Sequence, residues 1–199
     1  MAGDGGGARR VWRRSVPARV VGAAGAWFFV VLGAGMLFSA TGRVMAVGGS
    51  CASGGAYEIA VPCPEGVELL IPLALLAAGA GIALMIVLAP DFGVSLFAFG
   101  WLLLFGGLGL FFLQAFFGYG DPVGLIVGVV FVLMGIGPIG YLLRTAPRAV
   151  FLGRVDARGR AYTPDGTQHP RFGDYLLSLG LFVAGSTAGA AVALAVAGA

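Results

Sequence analysis

Apolar residues in this chain run on without interruption instead of alternating with polar ones. Five stretches, 20–42, 69–90, 92–120, 122–143 and 175–199, contain no Arg, Lys, Asp or Glu. A hydrocarbon core about 30 Å thick takes roughly 20 helical residues at 1.5 Å each, so every stretch is long enough to cross it. Backbone N–H and C=O groups find no water there, so a crossing segment pairs them internally as a helix. Barrel strands would instead alternate in short segments. The pattern predicts an all-α membrane protein, a bundle of five transmembrane helices at about 20–42, 69–89, 92–117, 123–143 and 175–197.

The joints agree with that division. Ala89-Pro90-Asp91 separates the second and third spans, and Gly118, Gly120 and Asp121-Pro122 separate the third and fourth. Proline and glycine stop or restart a helix at such places, so the three spans form two tight antiparallel hairpins. The third span is rich in Phe. The fifth is mostly Ala and Gly from Gly180 onward, residues near neutral for insertion, and relies on neighbouring helices to stay in the membrane.

Composition changes the picture through its placement. The chain has 12 basic and 9 acidic residues among 199, and all the basic ones are Arg. At 11% charged against about 25% for soluble domains, a soluble enzyme and a nucleic-acid-binding domain are excluded. Arg9, Arg10, Arg13, Arg14 and Arg19 precede the first span, and Arg144, Arg148, Arg154, Arg158, Arg160 and Arg171 lie between the fourth and fifth. The loop after the first span has only Arg43. Cytoplasmic loops carry the Arg excess. The expected topology is a basic disordered tail, 1–19, in the cytoplasm, an external loop 43–68, a cytoplasmic loop 144–174 and an external C-terminus. The first span exceeds a signal-peptide core of about 7–15 residues and reads as a signal anchor in the cell membrane.

Both cysteines, Cys51 and Cys63, fall in the external loop. Thiols outside the cytoplasm oxidise, so a Cys51–Cys63 disulfide is expected, and closing so short a loop is worth roughly 3 kcal/mol on the chain-entropy model. Ser53-Gly54-Gly55 supplies a turn, and Tyr57 to Val61 alternate like a short strand. A thiol oxidoreductase using the pair is an alternative, although such sites usually present Cys-x-x-Cys. A zinc site needs three or four ligands, and the single His, His169, lies across the membrane.

The string Cys51-x-x-Gly54-Gly55-x-Tyr57-x-Ile59-Ala60-x-Pro62-Cys63-Pro64-x-Gly66 resembles one in uncharacterised multi-pass membrane proteins of high-GC Gram-positive bacteria. The resemblance implies a shared external loop in a cell-membrane protein and transfers no catalytic residue.

Inside the spans, intramembrane ionisable groups, which mark ion-coupled transporters and proton relays, are absent; Gln114, Ser95, Ser178, Ser186 and Thr187 are the most polar residues. Gly124 with Gly128, and Gly185 with Gly189, have the GxxxG spacing that lets helix backbones approach closely; Ala77 and Gly81 are similar. These are candidate packing positions within the bundle. Gly135 to Gly140, with Pro138, is the one place where a span could break. In the 144–174 loop, 150–155 and 160–163 read as a hairpin about Asp156-Ala157-Arg158-Gly159, while Asp156, Asp165, His169 and Asp174 share no catalytic spacing. No catalytic motif, cofactor or metal site is expected. The sequence favours a non-enzymatic integral membrane protein that contacts lipid and an unidentified membrane-protein partner, but no nucleic acid. A small transporter or channel subunit is the alternative.

Overall fold

The computed structural model describes residues 15–47, 51, 61–120, 122–162 and 168–198. Five helices in it are long and apolar enough to cross a membrane. Helix α1 (Val16–Ala46) starts at Ser15, whose hydroxyl accepts the Ala18 N–H. At 31 residues it is about 46 Å long and overreaches the hydrocarbon at both ends. Helix α2 (Val67–Leu88) follows the loop that carries the two cysteines. The third span is a composite rod: α3 (Leu96–Trp101), a π-helical turn (Leu102–Gly106) and α4 (Gly107–Tyr119). Helix α5 (Pro122–Thr145) continues unbroken through Pro138, a short α6 (Pro147–Leu152) follows it, and α7 (Phe172–Gly198) is the fifth span.

Helix α1 is the hub. It packs along α2 on one side and α7 on the other, while the composite rod packs on α5. Small residues set these approaches. A Cβ on Gly81 would meet the Ala26 carbonyl of α1 at 2.7 Å, and one on Gly33 would strike the Ala74 carbonyl of α2. Aromatic contacts join α1 and α7 to the composite rod: Phe99 lies 6.3 Å from Trp27 and 5.5 Å from Phe182, and Phe38 lies 5.5 Å from Phe111.

Three expectations about boundaries are corrected. The third span was expected from residue 92, yet the helix begins at Leu96. Gly93 has φ 89° and Phe92 bridges to Gly153, so the chain bends and stays non-helical until Ser95 caps the helix by accepting the Ala98 N–H. The first and fifth spans run past the charge-free windows, because Arg and Asp are tolerated where a helix emerges from hydrocarbon. The expected hairpin is shorter than its predicted arms: pairing is confined to 154–162, where Tyr162 N–H donates to the Arg154 carbonyl at 3.1 Å and Asp156 N–H to the Arg160 carbonyl at 3.0 Å. Residues 147–152 are helical, begun by Pro147 in the first turn, and a single bridge, Val155 to Ala161, flanks the Asp156–Gly159 turn. Residues 1–14, Asp165 and most of the loop that carries the cysteines lie outside the described residues.

One end of the bundle is capped by polypeptide. The 89–95 joint and the 150–155 segment are stitched together: Gly93 N–H donates to Leu152, Ser95 N–H to Val150, and the N–H groups of Arg154 and Val155 both donate to the Asp91 carbonyl. Ser178 of α7 donates to the Phe151 carbonyl at 2.6 Å. The start of α1 joins this cap through Arg19, which is buried and donates to the Pro90 carbonyl at 3.3 Å. At the opposite end Arg43 donates to the carbonyls of Glu65 and Ala197, tying α1 to the start of α2 and the end of α7. We call these the capped end and the disulfide end.

Candidate functional site

The disulfide end holds the predicted cysteines as a Cys51–Cys63 bond, with Cα atoms 4.9 Å apart. The loop then enters α2 through Gly66, whose φ of 80° suits glycine. No group of three or more His, Cys, Asp and Glu able to hold a metal occurs among the described residues.

The candidate packing glycines all lie at helix–helix contacts inside the chain. A Cβ on Gly124 would meet the Phe112 carbonyl at 2.7 Å, and one on Gly128 the Leu113 side chain at 2.8 Å, both on α4. Gly185 and Gly189 of α7 lie against the backbone of α1 at Ala24 and Phe28. Gln114 is on an exposed face of α4, and Ser178 is spent on the cap. Buried Trp27 Nε1 and Ser186 Oγ have no hydrogen-bond partner among the described residues.

In the cap, Asp156 is the organising carboxylate. Its oxygens accept from the Arg160 N–H at 2.8 Å, from Arg160 Nε at 2.9 Å and from Gln168 Nε2 at 2.7 Å, and an ion pair to the Arg160 guanidinium closes at 2.8 Å. Burial alone would raise its pKa, but the hydrogen bonds from Arg160 and Gln168 outweigh that and hold it below the ordinary 3.8. Tyr162 is pushed up to about 12 by burial, by the nearby charges of Asp174 and Asp156, and by its hydrogen bond to Asp174. Asp156, His169 and Asp174 border one polar depression with three Arg residues. Asp156 is committed to Arg160 and Asp174 to Tyr162 and the Arg171 N–H, so these carboxylates act in cap structure.

A larger feature lies beneath the cap. A groove of about 770 Å³ runs between α2 and the composite rod. Gly33 and Ala34 of α1 form its floor, Ile82 and Ile86 of α2 one wall, and Phe97, Trp101 and Leu104 the other. Ile86 and Phe97 are 67% and 65% exposed, so the groove opens sideways, where lipid would be. On α2 it extends from Ala74 to Ile86, about 18 Å at 1.5 Å per residue, comparable to one leaflet of a ~30 Å core. Gly100 leaves room for a side chain: a Cβ there meets nothing within 4 Å. The π-helical turn borders the groove, and Trp101 at its edge donates from Nε1 to the Met134 carbonyl at 2.9 Å, which holds the rod to α5. Its only charged lining residues are Asp91 and Arg154, both at the capped end.

Sequence reading missed this groove. The available signals were the small residues Gly100, Ala74 and Ala78 that line it, and Asp91 as a lone charge between two spans. Comparison with protein-family models, curated proteins and solved structures found no match. The fold and the groove are therefore the basis for a functional reading.

Proposed function

We propose that this is a non-catalytic multi-pass protein of the cell membrane that holds a membrane lipid by an acyl chain in the groove between α2 and the composite rod. The capped, Arg-rich end faces the cytoplasm, and the disulfide and Arg43 brace the outer end as structure. The groove itself carries this reading: a volume of about 770 Å³ lies within the 300–1,000 Å³ of small-molecule sites. Its apolar length matches one leaflet, and its charged groups are confined to headgroup depth. Apolar walls give an acyl chain dispersion contacts on several sides, which a flat helix face cannot.

The test uses the full chain in lipid nanodiscs doped with a phospholipid carrying a photoreactive group on its acyl chain. Labelling is expected to concentrate on 74–86 and 96–104, and Gly100→Leu, which places a side chain in the groove, should reduce it there without changing labelling elsewhere. Uniform labelling of all lipid-facing helices would overturn the reading.

A further inference from the structure

The two charges at the mouth of the groove suggest which headgroup it takes. Asp91 and Arg154 are both exposed, and neither forms an ion pair among the described residues. Their backbones are nonetheless joined: Arg154 N–H donates to the Asp91 carbonyl at 2.6 Å, and Val155 N–H adds a second bond at 3.1 Å. Asp91 has φ 57°, a left-handed conformation that Asp and Asn adopt more readily than most residues, and the two bonds to its carbonyl hold it there. A carboxylate and a guanidinium are thus fixed on neighbouring segments at one mouth, with their side chains unspent on each other.

We propose, building on the acyl-groove reading, that the mouth recognises a zwitterionic phospholipid with a primary ammonium headgroup. Arg154 takes the phosphate and Asp91 the ammonium. A guanidinium fork matches phosphate oxygens bidentately, and a carboxylate accepts the N–H groups of an ammonium. A glycerol headgroup has no cation for Asp91, and a choline headgroup has no N–H to donate. Arg154 attracts phosphate of any kind, so Asp91 is what separates one phospholipid from another.

The experiment is competition against the photoreactive lipid, using the full chain and four lipids with identical acyl chains: phosphatidylethanolamine, phosphatidylcholine, phosphatidylglycerol and diacylglycerol. Wild type should be protected by phosphatidylethanolamine at about tenfold lower concentration than by the others, as one charge-assisted contact allows. Asp91→Asn, which keeps the backbone conformation, should erase the advantage over phosphatidylglycerol. Arg154→Gln should weaken all three phospholipids and leave diacylglycerol unchanged. Equal protection of wild type by phosphatidylethanolamine and phosphatidylglycerol, or an unchanged ratio in Asp91→Asn, would overturn the headgroup assignment while leaving the acyl groove standing. Failure of all four lipids to protect, with Gly100→Leu also silent, would sink the groove reading itself.

Discussion

At the scale of single residues, the cap is where the chemistry is concentrated. Gly159 has φ 78°, and a Cβ there would lie 2.7 Å from the Arg19 guanidinium. Gly159→Ala therefore meets both backbone strain of about 1–2 kcal/mol and the end of the Arg19 side chain, which must shift beside its bond to the Pro90 carbonyl. We expect faster proteolysis of 154–162 in this variant and wild-type behaviour elsewhere. The Asp156 carboxyl is held below its free value, so its contribution is present above pH about 4 and is lost as pH falls through the folded pKa. Tyr162 works in the opposite direction. The unfolded phenol ionises near 10 and the folded one at about 12, so the Tyr162 contribution to cap stability should be constant below pH 10 and fall between 10 and 12. Tyr162→Phe should flatten that alkaline limb, read by hydrogen exchange of the 154–162 amides across the pH series. A limb that persists in the variant would contradict the assignment. At the other end, Cys63→Ser opens a loop closed over a separation of 12 residues; a loss of roughly 3 kcal/mol on the chain-entropy model should appear as protease sensitivity between 51 and 63 and no change at the cap.

At the scale of helices, spacing rules locate small residues but not their partners. Gly185 and Gly189 fit against the α1 backbone and Gly128 against α4, whereas a Cβ on Gly79 meets nothing within 4 Å. Leu at 185 or 128 should therefore lower the aggregation temperature of the purified protein, since overpacking costs typically 1–3 kcal/mol. Gly79→Leu should leave it unchanged or raise it through helix propensity. Equal effects at 79 and 185 would mean that these glycines are not close-packed. The lengths of the spans were legible because hydrocarbon thickness imposes them through local composition. The start of α3 was not, because the bent 92–95 segment is held by its pairing with 150–153, about sixty positions away. For the same reason 150–152 read as strand from its β-branched and apolar run, while Pro147 and the N–H bonds into Leu152 and Val150 favour a helical turn. The π-helical turn had no sequence signal beyond Gly106 at its end and Gly107 just after it.

At the scale of the whole molecule, the groove is a consequence of partner choice. Helices α2 and α3 are neighbours in sequence and were expected as a tight hairpin, yet each packs mainly on something else, α2 on α1 and the rod on α5. No property of either helix alone encodes the space left between them, which is why the groove was invisible in the sequence while the disulfide was plain. Sidedness is the reverse case. The fold gathers Arg19, Arg144, Arg148, Arg154, Arg158, Arg160 and Arg171 at the capped end and leaves Arg43 at the other, where its guanidinium is occupied by two carbonyls. Translocating the capped end would carry seven guanidiniums across the bilayer, one of them buried, against the bias that keeps Arg on the cytoplasmic side. Translocating the disulfide end carries one, and delivers the cysteines to the compartment in which the bond forms. A reporter fused after Ala199 should therefore read as external and one inserted in the 163–167 segment as cytoplasmic. Arg43→Glu should leave both readings unchanged while loosening the end of α7. A cytoplasmic signal from the fusion at 199 would invert the topology and place the groove's charged mouth in the outer leaflet, where the same lipid panel would have to be presented from the other face.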